Sequence, residues 1–187
     1  MKKVSFFLLG AAFLASSLAF VAPKNPKAPI TLAVQSDKSR VDFIGSKAAD
    51  FHTGTFAVKG GSVQVEGGKL VGGSFVIDLA NLKVTDAAGE RLAGHLKSAD
   101  FFDVAKFGEA TYMISSVDYS SATACKINGT LNIKGVGVPV SFDANIRSAS
   151  EKGLFGQAYF SLDRTLLGIA YAGPSKDVQI AVHLFAK

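Results

Sequence analysis

Lys126-Ile127-Asn128-Gly129-Thr130-Leu131-Asn132-Ile133 alternates polar and apolar residues along its whole length. Ile127, Gly129, Leu131 and Ile133 fall on one side, and Lys126, Asn128, Thr130 and Asn132 on the other. A period of two belongs to a β-strand with one dry face and one wet face. The next run repeats the pattern, with Val138, Val140, Phe142, Ala144 and Ile146 against Pro139, Ser141, Asp143, Asn145 and Arg147. Gly135 and Gly137 stand between the runs, so the pair reads as a hairpin.

The same alternation recurs upstream at Val41 and Phe43, Phe56 and Val58, Val63 and Val65, Phe75 to Leu79, and Tyr112 and Ile114. Downstream it returns at Ala158, Phe160 and Leu162, and at Ile180, Val182 and Leu184. Glycine pairs at 60–61, 67–68 and 72–73, and Gly153, punctuate these runs. The spacing predicts eight or nine strands in an all-β chain. Such a set closes as an extended eight-stranded antiparallel up-and-down barrel, lipocalin-like, which removes exposed edges. Residues 86–107 break the period. Leu92 and Leu96 are four apart, which suits a short helical crossover or lid. Ser98 or Asp100 is a candidate cap for a second turn over residues 101–104.

Alternation does not say whether the dry face points inward or toward lipid. A membrane barrel needs strands of about 9–11 residues and aromatic girdles. Most runs here read shorter, Trp is absent and Phe is spread through the strands, so the dry face is read as internal.

Before the barrel, Lys2 and Lys3 precede an apolar stretch that gives way to small residues ending at Ala19 or Ala22. This order predicts a cleaved secretory signal over residues 1–22. Residues 23–30, opening PKNPKAP, read as a linker, and 31–187 as one barrel domain. The net charge of +5 becomes +3 when Lys2 and Lys3 leave, and it is scattered, which argues against nucleic-acid binding. Cys125 is the only cysteine, so no internal disulfide forms.

The predicted interior is rich in phenylalanine: Phe43, Phe56, Phe75, Phe101, Phe102, Phe107, Phe142, Phe155 and Phe160. Gly129, Ala144 and Ala158 leave room on the same faces. A barrel of this size is either filled by side chains or holds one small ligand, and periodicity alone leaves both open. An apolar tunnel would suit an alkyl or isoprenoid chain, since each buried CH₂ contributes about 0.8 kcal/mol.

Catalytic patterns are scarce. His52, His95 and His183 stand far apart, without metal-ligand spacing. Cys125 reads as a small apolar residue. Asp86, Glu90, Asp100 and Asp103 read as caps and surface. Arg164, beside Asp163, reads as an ion pair or a contact to a ligand head group. No cofactor is expected.

Several segments carry a family resemblance when taken in order. They are Ser36-Asp37-Lys38-Ser39-Arg40-Val41-Asp42-Phe43, His52-Thr53-Gly54-Thr55-Phe56, and Gly72-Gly73-Ser74-Phe75-Val76-Ile77-Asp78 with Val84-Thr85-Asp86. Next come His95-Leu96-Lys97-Ser98-Ala99-Asp100-Phe101-Phe102-Asp103, Gly129-Thr130-Leu131-Asn132-Ile133-Lys134-Gly135-Val136, and Asp163-Arg164-Thr165 with Gly168-Ile169. Over residues 36–187 this series resembles the YceI-like, polyisoprenoid-binding family. Two features depart from it: Gly108 stands where a proline is usual, and the segment at 170–177 is short. The resemblance implies a lipocalin-like barrel with a hydrophobic tunnel, periplasmic export, and binding of a long isoprenoid, quinone or other amphiphilic lipid without catalysis.

The expected tunnel lining is Phe43, Phe56, Phe75, Ile77, Tyr112, Ile114, Leu131, Ile133, Phe142, Phe160 and Leu162. Phe101 and Phe102 anchor the lid, and His95 or Arg164 faces a polar head. Transient membrane contact and a homodimer are both compatible with this reading. Two other classes stay open: a structural or stress-response protein with a packed core and a protein partner, and a lipid-acting enzyme.

Overall fold

The computed structural model describes residues 28–187, so the predicted signal and the first part of the linker lie outside the described residues. The strands are β1 (Ile30–Ala33), β2 (Arg40–Lys47), β3 (Asp50–Glu66), β4 (Lys69–Val84), β5 (Glu109–Tyr119), β6 (Ala124–Ile133), β7 (Val136–Ser150), β8 (Gly153–Asp163) and β9 (Asp177–Ala186). One helix, α1 (Gly89–Lys97), separates β4 from β5, and a 3-10 turn (Arg164–Leu167) follows β8. All pairings are antiparallel, in the order β1-β3-β2-β9-β8-β7-β6-β5-β4, with β4 returning to β3. The chain is a closed eight-stranded antiparallel barrel.

Nine strands make eight staves because β1 and β2 share one. Residues 30–33 pair with 65–62 of β3, and 40–47 pair with 57–50 of the same strand. The jog between them is pinned by Ser39. Its hydroxyl donates to the Phe185 carbonyl (3.2 Å) and accepts the Phe185 N–H (2.9 Å). Ala33 and Lys187 exchange backbone hydrogen bonds beside it, so the first strand seals the barrel against the last.

Where β3 and β4 cross most tightly, only glycine fits. Gly61 and Gly73 have φ of 136° and 134°, and a Cβ on either would sit 2.2–2.4 Å from a carbonyl oxygen of the facing strand. The two glycines let the long β3–β4 hairpin bend around the barrel.

The strands are longer than the sequence suggests: β3 has 17 residues, β4 16 and β7 15. Strand length therefore does not distinguish this barrel from a membrane one. The outer face does. Lys126, Asn128, Thr130, Asn132, Ser141, Asp143 and Arg147 point outward, where a membrane barrel would carry apolar residues.

Two further expectations are corrected. Ser98 closes α1, and its side chain does not cap the turn that follows. Its hydroxyl donates to the His95 carbonyl (2.7 Å), its own carbonyl accepts from Phe101 and Asp103, and the chain continues in turns with Asp103 at φ 49°. Ahead of α1 the Asp86 carboxylate accepts the N–H of Ala88 (2.8 Å), a turn that leads the chain into the helix, whose N-cap Ala88 has no side-chain cap. Phe155 faces outward and stacks on Phe185 at 4.2 Å. β8 alternates without a break, so Phe155 has the opposite parity to Leu154, Gly156 and Ala158, which are buried on the dry face.

The end of the barrel remote from α1 is closed by Val63, Val65, Leu70, Leu154 and Leu184, all buried. The α1 end is where the interior opens.

Candidate functional site

The upper half of the barrel and α1 enclose a cavity of about 310 Å³. Ligand sites commonly begin near this size. Fourteen of the fifteen expected residues line it: Phe43, Phe56, Phe75, Ile77, His95, Phe101, Phe102, Tyr112, Leu131, Ile133, Phe142, Phe160, Leu162 and Arg164. Ile114 does not. It lines a separate void of about 30 Å³ deeper in the barrel. Ile114 lies two residues beyond Tyr112 on β5, and the Tyr112 ring crosses the interior between the two spaces.

The walls are aromatic. Phe43 meets Phe56 at 5.1 Å, Phe56 meets Phe102 edge-on at 5.6 Å, and Phe142 stacks on Phe160 at 4.4 Å. Two rings are set by glycines on neighbouring strands. A Cβ at Gly54 would lie 2.2 Å from Phe43, and one at Gly129 would lie 2.5 Å from Tyr112. The space expected at Gly129 is thus filled by the Tyr112 ring, whereas Ala144 and Ala158 do border open space, in the deeper void. The Tyr112 hydroxyl donates to the Val140 carbonyl at 2.8 Å. Burial pushes its pKa up to about 12, so it stays a neutral donor.

At the mouth, α1 presents Leu92, His95 and Leu96, one helical face. His95, Phe101 and Tyr171 form a ring cluster with centroids 4.9–5.1 Å apart, joining the crossover to the loop after β8. Arg164 is buried, yet among the described residues it makes no ion pair with Asp163 or any other carboxylate. Its Nε donates to Ser175 O (2.9 Å), Nη1 to Ile169 O (2.5 Å), and Nη2 to Tyr171 O (2.7 Å) and Pro174 O (2.8 Å). Asp163 instead accepts from Thr165 and Lys176. The guanidinium therefore organises the loop that forms one side of the mouth, and four of its five N–H donors are committed there.

A model of the YceI-like domain matches residues 32–186. The chain belongs to the YceI-like family. It is 28% identical over 127 residues to a UPF0312 protein of Pseudomonas fluorescens, covering 65% of this chain and 66% of that protein. A Pseudomonas putida UPF0312 protein is 29% identical over 117 residues, covering 62% and 60%. The chain thus spans slightly less than two thirds of these curated relatives. Among solved structures, its fold is similar to that of Burkholderia cenocepacia BcnA, with a TM-score of 0.70 at 19% identity over 82% of this chain and 99% of that one. It is also similar to a polyisoprenoid binding domain from Saccharophagus degradans implicated in plant cell wall breakdown, with a TM-score of 0.66 at 16% identity over 83% and 97%.

In this YceI-like barrel the other polar motifs are local structure. Asp86 accepts the Thr53 N–H at 2.7 Å and faces His52 Nδ1 at 3.3 Å. Backbone donors from Ala88 and Thr53, then His52, hold the Asp86 carboxyl below its usual range. His183 lies on the outer face and bonds Gln157 at 3.0 Å. Among the described residues, no group of three or more His, Cys, Asp or Glu could hold a metal. Cys125 is buried, and burial followed by the Asp143 charge raises its thiol pKa.

Sequence reasoning missed several lining residues. Val41, Val140, Ile180 and Val182 share strand parity with expected ones, so the period of two already marked them. Tyr171 and His52 carried no such signal, because the mouth is assembled from a loop and a strand end.

Proposed function

We propose that this protein binds a long-chain isoprenoid, or a similar amphiphilic lipid, and carries or stores it without chemical change. The observation that carries the reading is the 310 Å³ cavity with its wall of Phe, Leu, Ile and Val side chains. A chain placed there exchanges water for apolar surface along its length, at about 0.8 kcal/mol per CH₂. A core packed shut would offer no such space, which weighs against the structural-protein alternative. The similar fold of the Saccharophagus degradans polyisoprenoid binding domain supports the same ligand class.

The proposed setting is the periplasm, reached through the signal at residues 1–22. The mouth supports brief docking to a lipid surface, since Phe51, Leu166 and Tyr171 are exposed around it. Nothing in the cavity pairs a nucleophile with a base, so a carrier fits better than an enzyme.

The test is uptake of a fluorescent prenol by Leu162→Arg. Leu162 lies on the cavity wall near the end of β8, where an Arg can reach solvent along the mouth. The folded variant should lose uptake by on the order of tenfold or more, because a charge in the apolar channel opposes burial of the chain. Undiminished uptake would contradict the placement.

A further inference from the structure

Phe75, Tyr112, Phe142 and Val182 line both the main cavity and the 30 Å³ void beneath it. The three rings run in series across the barrel, Phe75 to Tyr112 at 5.8 Å and Tyr112 to Phe142 at 5.3 Å. They make a floor. Below it, Ala144 and Ala158 are paired across β7 and β8, and their small side chains leave the void unfilled. The remaining lining is apolar except for Gln157. A void with so few polar partners stays dry, and it is open to an apolar guest.

The members of the floor are not held equally. Tyr112 is fixed by its hydrogen bond to Val140 and by its seat against Gly129. Phe75 backs onto Gly61, where a Cβ would lie 2.6 Å from its Cα. Phe142 packs against Tyr112 at 5.3 Å and Phe160 at 4.4 Å, with no glycine seat or hydrogen bond of its ring among the described residues. Phe142 is thus the ring that separates Phe160 of the main cavity from the void behind it.

We infer that this aromatic floor sets the length of hydrocarbon chain the cavity accepts, with Phe142 as the determining residue. The void beneath is the subsite for the terminus of a longer prenyl or acyl chain. This rests on the carrier reading above. Truncating one large side chain in a packed interior opens a dry space that admits a guest of about benzene size. Phe142→Ala joins that space to the existing void, giving room for roughly one more isoprene unit.

The experiment offers purified protein an equimolar ladder of all-trans prenols, from farnesol upward, and reads the bound species by native mass spectrometry. The wild type should show a sharp upper cut-off in length. Phe142→Ala should move that cut-off upward, with affinity for the first excluded prenol rising on the order of tenfold or more. Adding Ala158→Val, which refills the deeper void, should move it back. If Phe142→Ala is unstable, Phe142→Leu makes a smaller opening and should give a smaller shift in the same direction. An unchanged cut-off in folded Phe142→Ala and Phe142→Leu overturns the inference and leaves the carrier reading standing. A wild type with no cut-off also overturns it. A wild type that takes up no prenol of any length overturns the carrier reading itself.

Discussion

Tyr112 shows what a single side chain does in this interior. It crosses from β5 over Gly129 of β6 to bond Val140 of β7, tying three strands with one ring. Replacing it by Phe removes the hydroxyl but keeps the ring, and should cost about 1 kcal/mol in denaturant unfolding. The pH dependence has a definite sign. The folded-state pKa is raised from 10.0 to about 12, so the contribution is complete below pH 10 and is lost as pH rises toward 12. Tyr112→Phe should therefore show a shallower alkaline decline than wild type. Equal slopes would mean that the hydroxyl is not buried as described. The inward position of Tyr112 was legible from the period of two. Its partner was not, because alternation gives the face of a residue and says nothing of a carbonyl two strands away. Ile114 marks the same limit: parity placed it inside, but depth along the barrel separated it from the main cavity.

At the scale of elements, the mouth is built from α1 and the loop at 168–176, joined by His95, Phe101 and Tyr171. The loop has little sheet pairing of its own. Arg164 gathers four of its carbonyls instead. Lysine cannot replace a planar fork here, since an ammonium is a compact point charge with three donors. Arg164→Lys should lower stability by about 2 kcal/mol and speed amide hydrogen exchange across the loop, while β5 to β7 remain protected. Exchange unchanged in the loop would show that other contacts hold it. The helix was legible from Leu92 and Leu96, spaced for one face. Its length and its end were not, because Ser98 is equally suited to cap a following helix or to close a preceding one, and tertiary packing decides. Long β3 and β4 were read as shorter runs because glycines at 60–61 and 72–73 look like turns. In the barrel, Gly61 and Gly73 instead serve a close strand crossing.

At the scale of the whole molecule, one end of the barrel is packed shut and the other opens beneath a lid. Closure followed from strand count and alternation, and the family resemblance agreed with it. The shared stave of β1 and β2 did not, since it depends on a jog at residues 34–39 whose pairing is set by Ser39 and the last strand. Whether the interior was filled or hollow was also beyond periodicity, because side-chain volume has to be summed around the barrel and not along one strand. The hollow half is proposed to hold a lipid. Native mass spectrometry of the mature protein, purified from the cells that make it and followed by organic extraction of the bound species, tests it directly. The account predicts a co-purifying molecule of defined mass bearing a long isoprenoid or acyl chain. A protein that is ligand-free as isolated, and that takes up neither quinones nor fatty amides when these are added, would contradict it.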